Sequence, residues 1–343
     1  MSLKNLSANK IPRLIKDKLQ NQRIYKLYQL FEKKFDLNND FAVAVSGGPD
    51  SLALAFLTKI YSIKKNLKCK YFIVDHKLRK DSTIEAKKVK KILQNLSINS
   101  EILTWRGKKP LRINQSNARN KRYELLFAKC KKLKIQNIIL GHHIDDMFEN
   151  FFIRMIRGSG LKGLVSLSEK TKIDKINLIR PLLEFKKKDL ILISSYIFNF
   201  FVNDPTNNNS NHSRVRIRKL ISEFKDNGLD KNKLFLTIRN LKSSNEAISY
   251  YVNQNLEKNT YFNEKKNELF LNNNFFNQPY EIVFRSLSES IKLIGKMKDF
   301  ARGRKISEIL KKYQGNNLHK ETLGGCIIKK VSQTVILSKE ERF

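Results

Sequence analysis

One short segment combines residue types that suit phosphate chemistry: Ser46, Gly47, Gly48, Pro49, Asp50 and Ser51. Glycine has no Cβ, so two adjacent glycines let the backbone bend sharply and approach a ligand closely. The first N–H groups of a following helix would point at an anion above the segment, and the serines add hydroxyl donors. Asp50 would repel a bare phosphate, so we expect Mg²⁺ between the carboxylate and the phosphate. The alternative is an ordinary strand-to-helix turn with serine as the cap.

Apolar segments on both sides of this loop favour phosphate binding. Residues 41–45 (FAVAV) predict a buried strand and residues 52–63 an apolar helix. The loop lacks the Gly-Lys-Ser/Thr ending of a Walker A sequence. It resembles the SGGxDS loop of the PP-loop ATP pyrophosphatases, which cleave ATP between the α and β phosphates. The resemblance implies transfer of AMP and not of the γ-phosphoryl group.

Alternating strands and helices predict a parallel sheet with helices on both faces. Residues 82–96 are expected to be helical, with Ser82 as N-cap and Glu85 completing a capping box. Ligands bind beyond the carboxyl ends of such strands, which is where Asp50, Asp75, His76 and the segment His142 to Asp146 fall. Further strands are predicted at 70–79, 100–105, 137–141 and 176–185, and further helices at 22–35, 114–134, 187–200 and 214–225.

A change in sequence character predicts two domains. We expect an ATP-binding catalytic domain at 1–226, beginning with a basic tail at 1–21. A smaller, mainly helical α+β domain is expected at 227–343. It carries no catalytic constellation, so it either docks a large substrate or is structural. Its predicted elements are helices at 231–256, 280–298 and 303–313 and strands at 268–272, 325–331 and 334–338.

The composition limits the possible partners and compartments. The 68 basic and 32 acidic residues give a formal net charge of +36, which predicts a polyanionic partner, nucleic acid by default. Cys69, Cys130 and Cys326 are isolated, so neither a zinc site nor a thiol relay is indicated. No apolar run is long enough to span a membrane and no signal segment is evident. We therefore expect a soluble, cytoplasmic protein.

Seven short motifs then narrow the resemblance. They are SGGPDS at 46, VDHKLR at 74, ARNKRY at 118, GHHIDDMFEN at 141, RGSGLKGL at 157, RPLL at 180 and NDPTN at 203. In this order they resemble the tRNA(Ile)-lysidine synthase family over residues 35–225. The similarity extends more loosely to the C-terminal segments TLGGCIIKK at 322 and TVILS at 334. Asn150 stands where Thr is common, and NDPTN stands where an acidic residue often precedes the Asp. A further C-terminal domain of longer members is expected to be missing.

The resemblance implies a reaction and its partners. ATP adenylates O2 of the first anticodon cytidine of an isoleucine tRNA with anticodon CAU, and the ε-amino group of free L-lysine displaces AMP at C2. The resulting lysidine pairs with A rather than G, and the charging identity changes from methionine to isoleucine. ATP and Mg²⁺ are the implied cofactors, with Asp50 as the metal ligand, and a homodimer is left open.

Residue roles follow from the same resemblance. Ser46 to Ser51 bind the leaving pyrophosphate, and Asp75 and His76 complete the nucleotide site. Arg119 and Arg122 place positive charge near the α-phosphate because a guanidinium suits a spread charge; a solvated helix face is the alternative. His142 orients the base or phosphate, or takes part in proton transfer.

A basic protein that binds lysine needs local acidic groups. Asp145, Asp146 and Glu149 supply them on one helical face, and Asp146 and Glu149 are also implied in catalysis. The alternative is that these carboxylates stabilise a helix N-terminus; both can hold. Contacts with the tRNA backbone are expected from five arginines: Arg154, Arg157, Arg214, Arg216 and Arg218.

Two other functions, a tRNA thiolase and a nucleic-acid-binding protein, predict different sequence features. A PP-loop tRNA thiolase would use the same adenylation and a sulfur nucleophile, and it predicts catalytic cysteines, usually paired, which the sequence lacks. A nucleic-acid-binding protein with a degenerate ATP fold predicts RNA binding without AMP release. The intact SGGPDS and GHHIDD stretches argue against it.

Overall fold

The computed structural model describes residues 12–79, 81–107, 115–202, 213–297 and 300–340. The chain forms two compact units, Met1–Phe235 and Leu236–Phe343. The division falls within one long helix, somewhat C-terminal to the boundary expected from the sequence, so the predicted domain ranges stay a prediction. The NDPTN motif at 203–207 lies outside the described residues.

The first unit is built on a six-stranded sheet. Its strands are β1 (Phe41–Val45), β2 (Cys69–Asp75), β3 (Ser100–Thr104), β4 (Asn137–Ile139), β5 (Lys170–Ile173) and β6 (Ile176–Ile179). The order is β3-β2-β1-β4-β6-β5, and all neighbours are parallel except β5, which runs antiparallel to β6. The order reverses between β1 and β4, and ligands of such sheets bind at this point.

Helices cover both faces of this sheet, as predicted. Phe41, Val43 and Val45 lie in a core cluster with the helices at Pro49–Lys64 and Lys187–Phe198. Ala42 lies in a second cluster with the helix at Gln115–Lys132. The strand is apolar throughout because both of its faces are buried. The helices are α1 (Arg13–Leu19), α2 (Gln22–Lys34), α3 (Pro49–Lys64), α4 (Ser82–Asn95), α5 (Gln115–Lys132), α6 (Ile144–Ile156), α7 (Leu161–Leu164), α8 (Lys187–Phe198), α9 (Ser213–Asp226) and α10 (Lys231–Asn259).

The start of α4 differs from the prediction. Asp81, and not Ser82, occupies the N-cap position, and it makes no side-chain cap hydrogen bond. Ser82 instead donates its hydroxyl to Asp75 Oδ1 at 2.9 Å, and Glu85 pairs with Arg79. The predicted capping box is therefore wrong, because a tertiary partner at the end of β2 takes the serine hydroxyl.

Other differences are additional elements. The segment 13–19, expected within a basic tail, forms α1 with Ile15 and Leu19 buried. Strand β5 was not predicted; it is an edge strand of sequence KTKI and mostly exposed. None of the helices in the described part of the chain is both long and apolar enough to cross a membrane.

The second unit contains the C-terminal part of α10 and a five-stranded antiparallel sheet. Its other elements are β7 (Thr260–Asn263), β8 (Glu268–Leu271), α11 (Asn273–Phe276), α12 (Tyr280–Ile294), α13 (Gly303–Gln314), β9 (Lys320–Leu323), β10 (Cys326–Val331) and β11 (Thr334–Lys339). The strand order is β7-β8-β11-β10-β9. Gly324 and Gly325, with φ of +64° and +74°, form the turn between β9 and β10; the positive φ values suit glycine. The unit was predicted as α+β, although β7 and β9 were missed.

Candidate active site

The loop between β1 and α3 has a fixed backbone conformation. Gly47 has a φ of +85°, and a Cβ there would lie 2.6 Å from Val89 Cγ2, so no larger residue fits without strain. Ser46 N donates to Ser51 Oγ at 3.1 Å, and Ser51 Oγ donates to the Gly48 carbonyl at 3.0 Å. Gly48 is the N-cap of α3. The first N–H groups of α3 have no acceptor within the helix, so the loop can bind an anion.

Asp50 lies in the first turn of α3 and pairs with a lysine from another element. Lys187 Nζ, at the start of α8, donates to both Asp50 carboxylate oxygens at 2.7 and 2.6 Å. His143 Nε2 lies 3.7 Å from Asp50 Oδ2 and 3.6 Å from Asp146 Oδ2. His143 therefore lies between the phosphate loop and the carboxylates of α6.

The donors around Asp50 fit a magnesium ion that is held mainly by a nucleotide. Within the described segments, no group of three or more His, Cys, Asp or Glu side chains could hold a metal ion. Mg²⁺ commonly uses one or two carboxylates with phosphates and water, so a single carboxylate at the loop suffices. To hold such an ion, the Asp50 carboxylate would have to exchange the Lys187 ammonium for it.

Three carboxylates occupy the first two turns of α6, each with a cationic partner. Lys231 Nζ donates to Asp145 Oδ1 at 2.7 Å. Arg218 Nε donates to Glu149 Oε1 at 2.6 Å. The remaining partner, Arg214 Nη1, lies 3.3 Å from Asp146 Oδ1 and 3.6 Å from Glu149 Oε2.

The helix N-terminus also uses these residues. His143 is the N-cap of α6, and its Nδ1 accepts from Asp145 N at 3.2 Å while Asp146 Oδ2 accepts from His143 N at 3.0 Å. Because Nδ1 accepts a backbone N–H, neutral His143 carries its proton on Nε2. That N–H faces Asp50 and Asp146. Asp146 therefore stabilises the N-terminus of α6, as the alternative interpretation expected, and it also belongs to the carboxylate cluster.

The environment separates the pKa values of the two buried carboxylates. Burial raises the pKa of Glu149, against the opposing effect of the Arg218 hydrogen bond. Burial would also raise the pKa of Asp146, but the imidazoles of His143 and His142 and the His143 N–H hold that pKa below its ordinary value. A carboxylate with a raised pKa beside one with a lowered pKa is an arrangement suited to proton transfer.

Two neutral histidines, His76 and His142, come after strands β2 and β4. Burial lowers the pKa of His76 to about 4, together with the charge of Arg122, and burial lowers the pKa of His142 to about 3 against the opposing charge of Asp146. Arg122 Nε donates to His76 Nε2 at 3.3 Å, so the His76 proton is on Nδ1. Within the described segments, Nδ1 of His76 and Nδ1 of His142 are buried without a hydrogen-bond partner. Such atoms can bind a ligand.

The predicted α-phosphate arginines lie on α5. Arg119 Nη2 donates to Tyr123 Oη at 3.3 Å, and its guanidinium lies 5.2 Å from the Tyr123 ring centroid. Both Arg119 and Arg122 are exposed, so the solvated-face alternative is not removed and the phosphate role stays a prediction.

Asp75 has its carboxylate occupied by protein donors. The carboxylate accepts from Lys77 N at 2.9 Å, from Ser82 Oγ at 2.9 Å and from Thr83 Oγ1 at 2.7 Å. Burial opposes ionisation, but these hydrogen bonds hold the pKa of Asp75 below its ordinary value. In this structure Asp75 shapes the loop that carries His76, and its predicted contact with the nucleotide stays a prediction.

The five arginines predicted to contact tRNA fall into two groups. Arg154 and Arg157, at the end of α6, and Arg216, on α9, are exposed. Arg214 and Arg218 instead point to the carboxylates of α6. Phosphate contact by Arg214 or Arg218 would require each to leave or share its carboxylate.

Several residues of the site were given no individual role in the sequence analysis. His143 was inside a quoted motif, and its position three residues before Asp146 is a capping-box signal. Arg180, in the RPLL motif, is 5% exposed, with Nη1 donating to Ser168 O at 2.8 Å and Nε buried without a partner among the described residues. Nothing in the sequence around Lys187 or Lys231 indicated that either would lie in the site.

Comparison with known proteins identifies the class of the fold. A family model described as a PP-loop domain matches residues 19–224. Among solved structures, the U34-tRNA thiolase NcsA from Methanococcus maripaludis aligns with a TM-score of 0.55 at 16% identity, covering 65% of this chain and 79% of that one. At this identity the likeness concerns the fold alone. Sheet order, loop and family model together define a PP-loop protein.

Curated relatives narrow the class further. The tRNA(Ile)-lysidine synthase of Orientia tsutsugamushi (strain Boryong) is 38% identical over 229 residues, 64% of this chain and 52% of that protein. The tRNA(Ile)-lysidine synthase of Wolbachia sp. subsp. Brugia malayi (strain TRS) is 30% identical over 313 residues, 88% of this chain and 71% of that protein. The chain thus spans about half to seven-tenths of these relatives' length. It belongs to the tRNA(Ile)-lysidine synthase family.

Proposed function

We propose that the protein ligates free L-lysine to the first anticodon cytidine of isoleucine tRNA with anticodon CAU, using ATP. In the first step cytidine O2 attacks the α-phosphorus of ATP and pyrophosphate leaves. In the second step the ε-amino nitrogen of lysine attacks C2, and AMP leaves with the O2 oxygen. The observation that carries the proposal is the carboxylate cluster of α6 beside the phosphate loop, in a chain of net charge +36.

The phosphate loop suits the first step. Backbone N–H groups at the start of α3 and the Ser46 and Ser51 hydroxyls can hold the leaving pyrophosphate where its charge develops. Mg²⁺, bound by Asp50 together with the phosphates, would neutralise part of that charge. The Lys187 ammonium, which pairs with Asp50 in the structure, would then be free to bind a phosphate oxygen.

The carboxylates of α6 suit the second step. Asp146, with its lowered pKa, stays ionised and attracts the substrate ammonium. Glu149, with its raised pKa, is the better proton acceptor, and the ammonium must lose a proton before its nitrogen can attack. We therefore assign Glu149 as the base, and Asp145 and Asp146 as the carboxylates that attract and bind the ammonium group.

The tRNA is bound by its phosphates. Exposed Arg154, Arg157 and Arg216 are the candidates in the first unit, and a tRNA-docking role of the second unit belongs to the same proposal. A cytoplasmic location and a homodimer stay predictions.

The reaction mixture that tests the proposal contains the protein, Mg-ATP, labelled lysine and a CAU-anticodon isoleucine tRNA transcript. We expect lysine incorporation and AMP formation in equal amounts, both dependent on the tRNA. A transcript with U at the first anticodon position is the matched control and should accept no lysine. AMP formation without lysine transfer would indicate another nucleophile, and RNA binding without AMP formation would indicate a degenerate ATP fold.

The cysteines argue against the tRNA thiolase alternative. Burial raises the pKa of Cys130 to about 12 and that of Cys326 to about 11, and burial raises the pKa of half-buried Cys69 to about 12. A thiol reacts as its thiolate, so none of the three suits sulfur transfer near neutral pH.

A further inference from the structure

The ammonium group of Lys231 occupies a site of the kind that a lysine substrate needs. Its Nζ lies 2.7 Å from Asp145 Oδ1 and 6.0 Å from the centroid of the Phe148 ring. A carboxylate and an aromatic face are the two groups that proteins use to bind an alkylammonium ion. Asp145 and Phe148 therefore form an ammonium subsite at the start of α6.

Lys231 differs from the other cations on the cluster. Arg214 and Arg218 bring guanidinium groups, whereas Lys231 brings a primary ammonium on a four-carbon stem, as free lysine does. The Asp145 side chain is 28% exposed, compared with 15% for Asp146 and 4% for Glu149. Asp145 is thus the carboxylate of the three that a molecule from solution can reach most easily.

The cluster also lacks a hydrogen-bond donor. Glu149 Oε2 is buried and has no hydrogen-bond partner in the described part of the chain; Arg214 Nη1 is 3.6 Å away, an ion-pair distance. A buried carboxylate oxygen without a donor is costly. Lys231 Nζ, on Asp145, does not donate to this oxygen. An ammonium group that reached Glu149 Oε2 would bring three N–H donors and could supply the missing hydrogen bond.

We propose that Lys231 occupies the ammonium subsite of the proposed lysine substrate and must be displaced when that substrate binds. This inference rests on the proposed function and makes Lys231 a positioning residue that controls access to Asp145. Its place on α10 suits displacement. Lys231 is the first residue of that helix, where the helix dipole disfavours a cation, so its ammonium gains no stabilisation from its own helix.

Competition between the two ammonium groups sets the expected effect. An exposed ion pair contributes about 0.2–1 kcal/mol, which corresponds to about a 1.4- to fivefold change in binding. Lys231→Met, which keeps the stem and removes the charge, should therefore lower the KM for lysine about 1.4- to fivefold and change kcat less. Lys231→Arg should keep the KM near the wild-type value because it keeps a cation on Asp145.

Lysine KM and kcat are measured at saturating ATP and tRNA. Lys219→Met, on the exposed surface of α9, removes the same charge and should leave the lysine KM unchanged. The double variant Lys231→Met/Asp145→Asn tests whether Lys231 acts through Asp145. In the Asp145→Asn background, adding Lys231→Met should no longer lower the KM for lysine. Unfolding by urea confirms that each variant is folded.

The outcomes are distinct. A raised or unchanged lysine KM in Lys231→Met, or the same reduction in both Asp145 backgrounds, would overturn the displacement model. Wild-type protein that transfers no lysine at all would overturn the proposed function instead. An effect of Lys231→Met on the tRNA KM alone would identify Lys231 as an RNA contact and also overturn displacement.

Discussion

Replacing Arg218 by methionine tests how the carboxylate cluster is held in the fold. Glu149 Oε1 accepts from Arg218 Nε at 2.6 Å, and the Glu149 side chain is only 4% exposed. Methionine fills a similar volume without a charge, so the substitution leaves the carboxylate without its closest cation. Arg214 Nη1 remains 3.6 Å from the other oxygen.

The size of the effect follows from burial on each side of the pair. Removing one partner of a buried ion pair costs about 3–5 kcal/mol. The Arg218 side chain is 45% exposed, so solvent already screens part of its charge, and Arg214 compensates further. We therefore expect a loss of about 2 kcal/mol in the free energy of unfolding at pH 8.

The penalty should depend on pH with a definite sign. The Arg218 hydrogen bond now lowers the pKa of Glu149 against burial, so its removal raises that pKa further above the value in the unfolded chain. The folded variant then binds a proton more readily than the unfolded chain does. Its stability is retained below the ordinary glutamate pKa and is lost as pH rises through the raised one. The deficit should therefore be smaller at pH 5 than at pH 8.

Urea unfolding followed by tryptophan fluorescence measures this directly. The single tryptophan, Trp105, is buried in the first unit, so the signal reports on the unit that contains the cluster. Arg216→Met, at an exposed position on the same helix, is the matched control and should cost less than about 0.5 kcal/mol. An equal penalty at both pH values, or a penalty no larger than that of the control, would refute this account of Glu149.

Three further predictions use the same unit. Gly47→Ala should lower the free energy of unfolding by about 1–3 kcal/mol, because its Cβ would lie 2.6 Å from Val89 Cγ2 at a φ of +85°. Gly48→Ala is the control: with a φ of −71°, it should lower the free energy of unfolding by less than about 1 kcal/mol. Equal losses in the two variants would contradict the loop geometry. Burial lowers the pKa of His142 to about 3 in the folded protein, so the unfolded chain binds a proton there more readily. The stability from His142 is fully present above its ordinary pKa and falls as pH drops, by up to about 1.4 kcal/mol per pH unit. In urea titrations, His142→Asn should therefore lose less free energy of unfolding between pH 7 and pH 5 than the wild type does. Asp50→Asn should reduce AMP formation by at least about two orders of magnitude with little loss of stability, and near-normal AMP formation would remove Asp50 from the site.

Local sequence patterns predicted the scaffold of the site well. The apolar run of β1, the glycine pair after it and the apolar helix α3 are all defined by neighbouring residues. Parallel strands then bring the ends of β1, β2 and β4 to one edge, so the placement of Asp50, His76 and His142 followed from topology. These predictions needed only the pattern of apolar residues along each segment and the residue types in the turn between them.

Ion-pair partners could not be predicted in the same way. Lys187 and Asp50 are 137 positions apart in sequence, and many lysines of this basic chain stand at similar helix positions. Arg214 and Arg218 were predicted to bind RNA because their helix is basic, but packing of α9 against α6 directs both toward carboxylates. Strand β5 was missed because its sequence KTKI has too little apolar character to predict an edge strand.

In the proposed reaction, the loop from Ser46 to Ser51 holds the pyrophosphate end of ATP and faces the carboxylates of α6. A crystal structure with a non-hydrolysable ATP analogue and lysine tests this arrangement most directly. We expect the β- and γ-phosphates on the backbone N–H groups of that loop and the lysine ammonium on the α6 carboxylates. A triphosphate bound away from Ser46 to Ser51 would contradict it.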